Sequence, residues 1–312
     1  MRKKHIAGNI RRKMAEWIDT IDDVDIRSLV RENIIVTGGC ITSMLLDEKV
    51  RDYDVYFADH ATTLAVAEYY VNKFCDNPPP RFKGSSEAVN IKVIDDNGRI
   101  SVQVKSAGAA SAGGDVNYEY FESEDRPGEE SGEYINRMVG ILKDGCESNS
   151  DKERGKYAPI FLTQNAITLS HDVQLITRFY GEPEKIHENY DFVHCMNYWT
   201  HGEGLVLKQE ALECILAREL KYVGSLYPIC SVFRTRKFIN RGWFINAGQY
   251  LKMCWQIKDL DLDDVAVLED QLTGVDTAYF QQLIDIIKKE KEANPELEID
   301  NTYICQLVDR LF

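Results

Sequence analysis

No apolar run in this chain approaches the ~20 residues that a membrane-spanning helix needs. The opening Met1-Arg2-Lys3-Lys4-His5 is basic, but no signal-peptide core follows it. These absences lead us to expect a cytosolic (cytoplasmic) protein with no membrane partner. Eight cysteines are present, yet no two form a CxxC pair and their spacing makes no regular framework. That argues against a disulfide scaffold and a structural zinc site. Cys40, Cys195, Cys214, Cys230 and Cys254 lie in apolar or helical stretches and read as reduced, mostly buried thiols. An excess of positive charge is also missing: the net charge is −14 and the pI near 5.0. A long polynucleotide-binding surface usually shows the reverse. The cations gather locally instead, in Arg11-Arg12-Lys13 and again in Arg234, Arg236, Lys237 and Arg241. No internal repeat is visible.

What is present starts with an ordinary globular composition. Of the 312 residues, 44% are apolar and 28% charged, enough for one large domain or two modest ones. The most informative stretch is Gly38-Gly39 followed by Arg51-Asp52-Tyr53-Asp54-Val55-Tyr56-Phe57. Asn33 to Thr37 reads as a short buried strand and Cys40 to Glu48 as a helix. The glycine pair therefore sits at a strand-to-helix turn, where bare backbone can receive a phosphate. In the Asp52 strand, the two-residue period sends both carboxylates to one face. Two repelling carboxylates on one sheet face are usually compensated by a divalent cation, and hard oxygen donors suit Mg²⁺ or Mn²⁺. A phosphate cradle followed by paired aspartates outlines metal-dependent nucleotidyl transfer.

Elsewhere, helical periodicity covers 5–30 and Thr62 to Phe74. Asn90–Ile94 and Arg99–Val104 flank Asp95-Asp96-Asn97-Gly98, a hairpin signal. From about 106 to 157 the chain is small, acidic and polar, and is expected to be a flexible insertion. Strands are expected at Pro159–Leu162, Ala166–Leu169, Val173–Phe179 and Tyr190–His194, with a short helix opened by Pro183. Beyond Gly204 the pattern is helical, near 206–222, 228–241, 246–256, 263–271, 276–291 and 300–311. The expectation is a head over 1–202 and a helical domain over 203–312. His171, His187, His194 and His201 crowd one segment at spacings that fit no metal motif, so they read as structural. Tyr190, Tyr198 and Trp199 read as core.

Gly38-Gly39, Leu45-Leu46 and Asp52-Tyr53-Asp54 together resemble the head signature of the polymerase-β-like nucleotidyltransferases. Within them the chain looks most like the CCA-adding enzymes and bacterial poly(A) polymerases. Arg234-Thr-Arg-Lys-Phe238 and Arg241-Gly242-Trp-Phe-Ile245 are similar to that family's arginine-rich neck helix. The resemblance covers much of 30–57 and 190–245. It implies an α+β fold: a nucleotidyltransferase head of mixed sheet and helices, then an all-helical neck. It implies that Asp52 and Asp54 hold two Mg²⁺ (or Mn²⁺) ions against an NTP. Asp191 would be a third catalytic and metal-binding carboxylate, with Asp172 as its alternative. Thr37, Gly38, Gly39 and Ser43 would contact the phosphates, and Arg234 and Arg241 would neutralise the triphosphate or stack on a base. NMP would pass to an acceptor hydroxyl with release of pyrophosphate. The implied acceptor is an RNA 3′ end such as that of tRNA; a protein or small-molecule acceptor, or a non-catalytic nucleotide-binding module, are the alternatives. The chain departs from the family at Thr42-Ser43, where an arginine-aspartate pair stands, and at Asn189-Tyr190-Asp191, where only the aspartate of an arginine-arginine-aspartate motif remains. Tyr227 to Ser231 lacks the base-reading pair. The resemblance thus gives no support to CCA specificity.

Overall fold

The structure is a computed structural model that describes residues 2–77, 89–106, 155–163 and 165–262, with Asp264, Val267, Gln271 and Thr302 beyond them. The insertion expected at 106–157 and the helices expected at 263–271, 276–291 and 300–311 fall almost wholly outside these residues. The described chain is mixed α+β, and it falls into two compact units, the first ending at Val223 and the second starting at Gly224.

The first unit opens with α1 (Lys3–Ile18), whose Ile6, Ile10, Met14, Trp17 and Ile18 repeat at helical spacing and are fully buried. The periodic stretch expected over 5–30 breaks before α2 (Val24–Asn33), because the Asp23 carboxylate accepts from Asp25 and Ile26 N–H and caps a new start. Then follow β1 (Ile34–Thr37), α3 (Gly39–Leu45), β2 (Tyr53–Phe57) and α4 (His60–Asp76), the last capped by Asp59. The hairpin of β3 (Val89–Asp96) and β4 (Arg99–Ser106) forms as its turn residues dictate. Asn97 and Gly98 both take positive φ, at 52° and 84°. β5 (Pro159–Leu162), β6 (Ala166–Leu169) and β7 (Val173–Ile176) are next, then α5 (Pro183–His187), β8 (Tyr198–Thr200), β9 (Gly204–Val206) and α6 (Gln209–Ala217).

Seven strands form one sheet in the order β5-β6-β7-β2-β1-β8-β9. Only β2 and β7 run parallel, so the sheet is mixed. Its register sorts the side chains into two rows. Ile167, Leu175, Val55, Val36, Trp199 and Leu205 lie side by side, all buried, in the main core with α1, α3 and α4. One residue along, Thr168, Gln174, Asp54, Thr37, Tyr198 and Val206 line the opposite face. A smaller cluster of Ile35, Tyr56, Ile186 and Tyr198 covers part of that face.

Two expectations are corrected. Tyr190–His194 is not a strand. Val193–Cys195 makes a 3₁₀ turn, and Phe192 forms an isolated bridge to Tyr222. The helix expected over 206–222 is shorter, running Gln209–Ala217 and ending where Arg218 takes a left-handed φ of 52°. The second unit, described by itself, contains α7 (Pro228–Ile239) and, in contact with it, α8 (Ala247–Ile257), capped by Asn246. Trp243 folds back against α7, its ring 6.0 Å from that of Phe238, and its backbone N–H donates to the Phe238 carbonyl.

Candidate functional site

The chain from β1 to α3 turns at Gly38, whose φ of 91° and ψ of −155° are closed to a side-chain-bearing residue. A Cβ at that position would meet Asp54 Oδ2 at 2.8 Å and Tyr190 Oη at 3.5 Å. The glycine therefore does two things: it permits the turn, and it lets a carboxylate approach the backbone. The approach follows from the register, since Thr37 pairs directly with Asp54 across β1 and β2. Gly39 begins α3, with open space where its Cβ would be. Gly38 N–H is spent on the Cys195 carbonyl at 3.1 Å.

Asp52 and Asp54 keep the same parity along the strand, though Asp52 lies just before β2 and is exposed while Asp54 is half-buried. Both sit near Cys40. Burial first, then the Asp54 and Asp52 charges, push that thiol well above its ordinary value. Beside Asp54 on the parallel strand stands Gln174. Asp172 lies two residues earlier, at a φ of 61°, and its carbonyl accepts from Tyr53 N–H at 2.7 Å. Asp191 is buried in the loop after α5, where its carbonyl accepts from Val223 N–H. Among the described residues, no three His, Cys, Asp or Glu side chains converge on a point that could hold a metal ion. Ser43 is buried on α3. Arg234 lies on α7 and Arg241 just after it, both in the second unit.

Thr37 is tied into a chain of hydrogen bonds. Lys208 Nζ lies 3.2 Å from His187 Nδ1, and an ammonium can only donate, so Nδ1 accepts. The ring proton then sits on Nε2, which donates to Thr37 Oγ1 at 2.9 Å, and the hydroxyl donates on to the Asn197 carbonyl at 2.9 Å. Lys208 also pairs with Glu184 at 3.2 Å. Burial, and then the Lys208 charge, lower His187 to about 4, so the imidazole is neutral. Tyr190 covers this group, its ring 5.1 Å from His187 and 6.2 Å from Tyr56. Its hydroxyl end is buried with no hydrogen bond of proper geometry, and burial, with Tyr56 and Asp54 nearby, pushes the phenol well above its ordinary value.

The structure thus brings Thr37, Gly38 and Asp54 together, with Asp52 and Gly39 close by in the chain and Asp172 bonded through its carbonyl to Tyr53 N–H. Sequence reasoning missed Tyr190, His187 and Lys208 as parts of this group. His187 and Tyr190 carried a weak signal in their neighbourhood to Asp191, but Lys208 carried none. A cleft elsewhere on the first unit, lined by Asp22, Tyr69, Lys73 and Pro159, lacks the glycine turn and the paired aspartates. No described helix is long and apolar enough to cross a membrane.

The profile of a family described as Gabija anti-defense 2 family protein matches residues 9–218, a span that includes every candidate residue of the first unit and neither Arg234 nor Arg241. A protein named Gabija anti-defense 2, from Bacillus phage SPbetaL7, is 24% identical over 115 residues, which are 36% of this chain and 29% of that protein. The match spans less than a third of that relative's length. Among solved structures, a Thermotoga maritima CCA-adding enzyme complexed with tRNA is similar at a TM-score of 0.38 and 11% identity, over 92% of this chain and 57% of that one.

Proposed function

We propose that this chain, which belongs to the Gabija anti-defense 2 family, is a nucleotidyltransferase whose site is built around Asp54 and the Gly38 turn. The observation that carries the reading is the contact between them: a turn that only glycine can make, against a carboxylate Oδ2 that would lie 2.8 Å from any Cβ there. Backbone bared next to an acidic pair is what a triphosphate and its cation require.

The acceptor hydroxyl attacks the α-phosphorus of an NTP, the new P–O bond forms, the bond to the bridging oxygen breaks, and pyrophosphate leaves. Mg²⁺ binds through one or two carboxylates and is completed by substrate phosphates rather than by an all-protein cage. Asp52 and Asp54 fit that donor set, and a third converging acid is not needed for it. The cation, when bound, would neutralise charge on the phosphate oxygens. The remaining work falls to the chain itself. Gly38 makes the turn, and Gly39, with open space where its Cβ would be, would let phosphate oxygens approach the backbone. The Lys208–His187–Thr37 chain fixes the turn. Asp191 or Asp172 would take the proton of the acceptor hydroxyl. The acceptor we favour is an RNA 3′ end. By the family's name, the product of this reaction would act against a Gabija defence.

A second reading, a nucleotide-binding module without turnover, is favoured by the segment Tyr227 to Ser231, which lacks the base-reading pair of the family the chain resembles. Incorporation of each α-labelled NTP into total RNA or a protein mixture, with Mg²⁺ or Mn²⁺, decides between them. The transferase reading expects label with the wild type and none with the Asp52→Ala, Asp54→Ala double variant. No label from a protein that still binds nucleotide would leave the module.

A further inference from the structure

In a chain of net charge −14, residues 1–15 contain Arg2, Lys3, Lys4, Arg11, Arg12 and Lys13 and no carboxylate. A charge of +6 is thereby set against −20 for the rest of the chain. The structure puts Lys4, Arg11 and Arg12 on one side of α1, because the other side is occupied. Ile6, Ile10, Met14, Trp17 and Ile18 are sealed in the head core, while Arg2, Lys3, Lys4, Arg11 and Arg12 are exposed. Among the described residues, Lys3, Lys4, Arg11 and Arg12 make no ion pair. In a protein so rich in carboxylates, four cations on one helix without a carboxylate partner among the described residues, Arg12 bonded instead to Asn9 Oδ1 at 3.4 Å, are a surface kept open for something anionic.

Lys4, Gly8, Arg11 and Arg12 follow the spacing of one helix face, and Gly8 is exposed with nothing within 4 Å of where a Cβ would sit. Glycine inside a helix costs about 1 kcal/mol relative to alanine, and no neighbour here requires it. Its effect is to bare the helix backbone midway between cations that lie about 12 Å apart along the axis. The basic face also leads to the site. Lys13 Nζ lies 5.6 Å from the centre of the Tyr53 ring. Arg12 is close enough to counter, in part, the upward shift that burial and then Cys40 impose on that phenol. The residue before Tyr53 is the exposed Asp52.

We infer that this face of α1 binds the sugar-phosphate backbone of a nucleic-acid strand and guides it toward the start of β2. Guanidinium forks and a bared helix surface suit a row of phosphates. A membrane is the wrong partner, because the apolar side of α1 that would have to enter it is buried in the core. As the path of an acceptor the surface rests on the transferase reading; as a binding surface it does not.

The test is the binding of a labelled single-stranded RNA and of a single-stranded DNA of the same sequence, across a range of salt, with the full chain. Lys4→Gln, Arg11→Gln, Arg12→Gln together should weaken binding at least tenfold at low salt. They should also flatten the plot of log K against log salt by about 2, at roughly 0.7 for each phosphate no longer neutralised. Gly8→Glu, which meets no steric obstacle, should weaken binding on its own and covers the case in which the triple variant unfolds. Binding of both strands identifies the phosphate backbone as the ligand, and preference for RNA adds a 2′-hydroxyl contact. Three results would overturn the inference: triple and Gly8→Glu variants that bind like wild type, loss only on Arg234→Gln with Arg241→Gln, or binding to anionic vesicles or an acidic protein but to neither strand. Asp54→Ala should bind as wild type does. If both bind and neither transfers label, the surface stands and the transferase reading falls.

Discussion

On one face of the seven-stranded sheet, Val36, Val55, Leu175 and Trp199 meet the helices in a dry core. On the other, a single residue along each of the same strands, Thr37, Asp54, Gln174 and Tyr198 face a glycine turn, a neutral histidine and a buried phenol. The strands are shared, so what separates the faces is side-chain chemistry alone. The core face obeys every local rule. The other breaks several at once, with a half-buried carboxylate, a positive-φ glycine held against it and an imidazole below its ordinary pKa. Local rules are broken where function is housed and the rest of the fold can carry the cost.

Changes on the two faces should therefore fail differently. Trp17, fully buried and donating to Tyr70 Oη at 2.7 Å, anchors α1 to α4 in the core. Trp17→Ala should cost about 3–5 kcal/mol in urea unfolding, and a cost below 1 would mean that this face is not the dry core described. The next largest effect is a pH dependence on the site face. His187 is held at about 4, below an unfolded value of ~6.5. Between those values the unfolded chain binds a proton that the folded chain does not. The contribution is therefore complete above pH ~6.5 and is lost as pH falls toward 4, by up to about 3 kcal/mol at 1.36 per unit. His187→Gln should remove this slope and leave the high-pH plateau lower; a wild type whose stability is unchanged across that window would contradict the network.

Smaller still, Gly38→Ala should cost about 1–3 kcal/mol and abolish nucleotide binding, whereas Gly39→Ala, with open space at its Cβ position, should change stability little. Equal behaviour of the two in calorimetry would remove the close approach from the account. At the bottom of the scale, Asp19→Asn breaks an exposed pair with Arg31 at 3.3 Å and should shift stability by no more than about 0.5 kcal/mol.

How much of this was legible in the sequence follows the same division. The core face was readable, because helical spacing of Ile6, Ile10, Met14 and Trp17 and the apolar alternation of β2 are local patterns. The Gly38 turn and the Asp52–Asp54 pair were readable too, since a strand-to-helix glycine and a period-2 carboxylate pair are features of short segments. The Lys208–His187–Thr37 chain was not. Its members stand 21 and 150 residues apart, and nothing short of the β1–β8 pairing brings them together. The strand expected at Tyr190–His194 misled because aromatic and β-branched residues there serve a 3₁₀ turn packed under Tyr222. The basic side of α1 was visible as a charge cluster, but its exposure and lack of ion pairs needed the fold.

The measurement that bears most directly on the central claim is pyrophosphate release from a mixture of four NTPs with Mg²⁺ and total RNA, comparing wild type with Asp54→Asn. The substitution keeps the size of the side chain beside Gly38 and removes only its charge. A site of nucleotidyl transfer built on Asp54 predicts release by the wild type and none by a variant that melts at the same temperature. Equal release from both proteins would place the chemistry elsewhere and contradict the account.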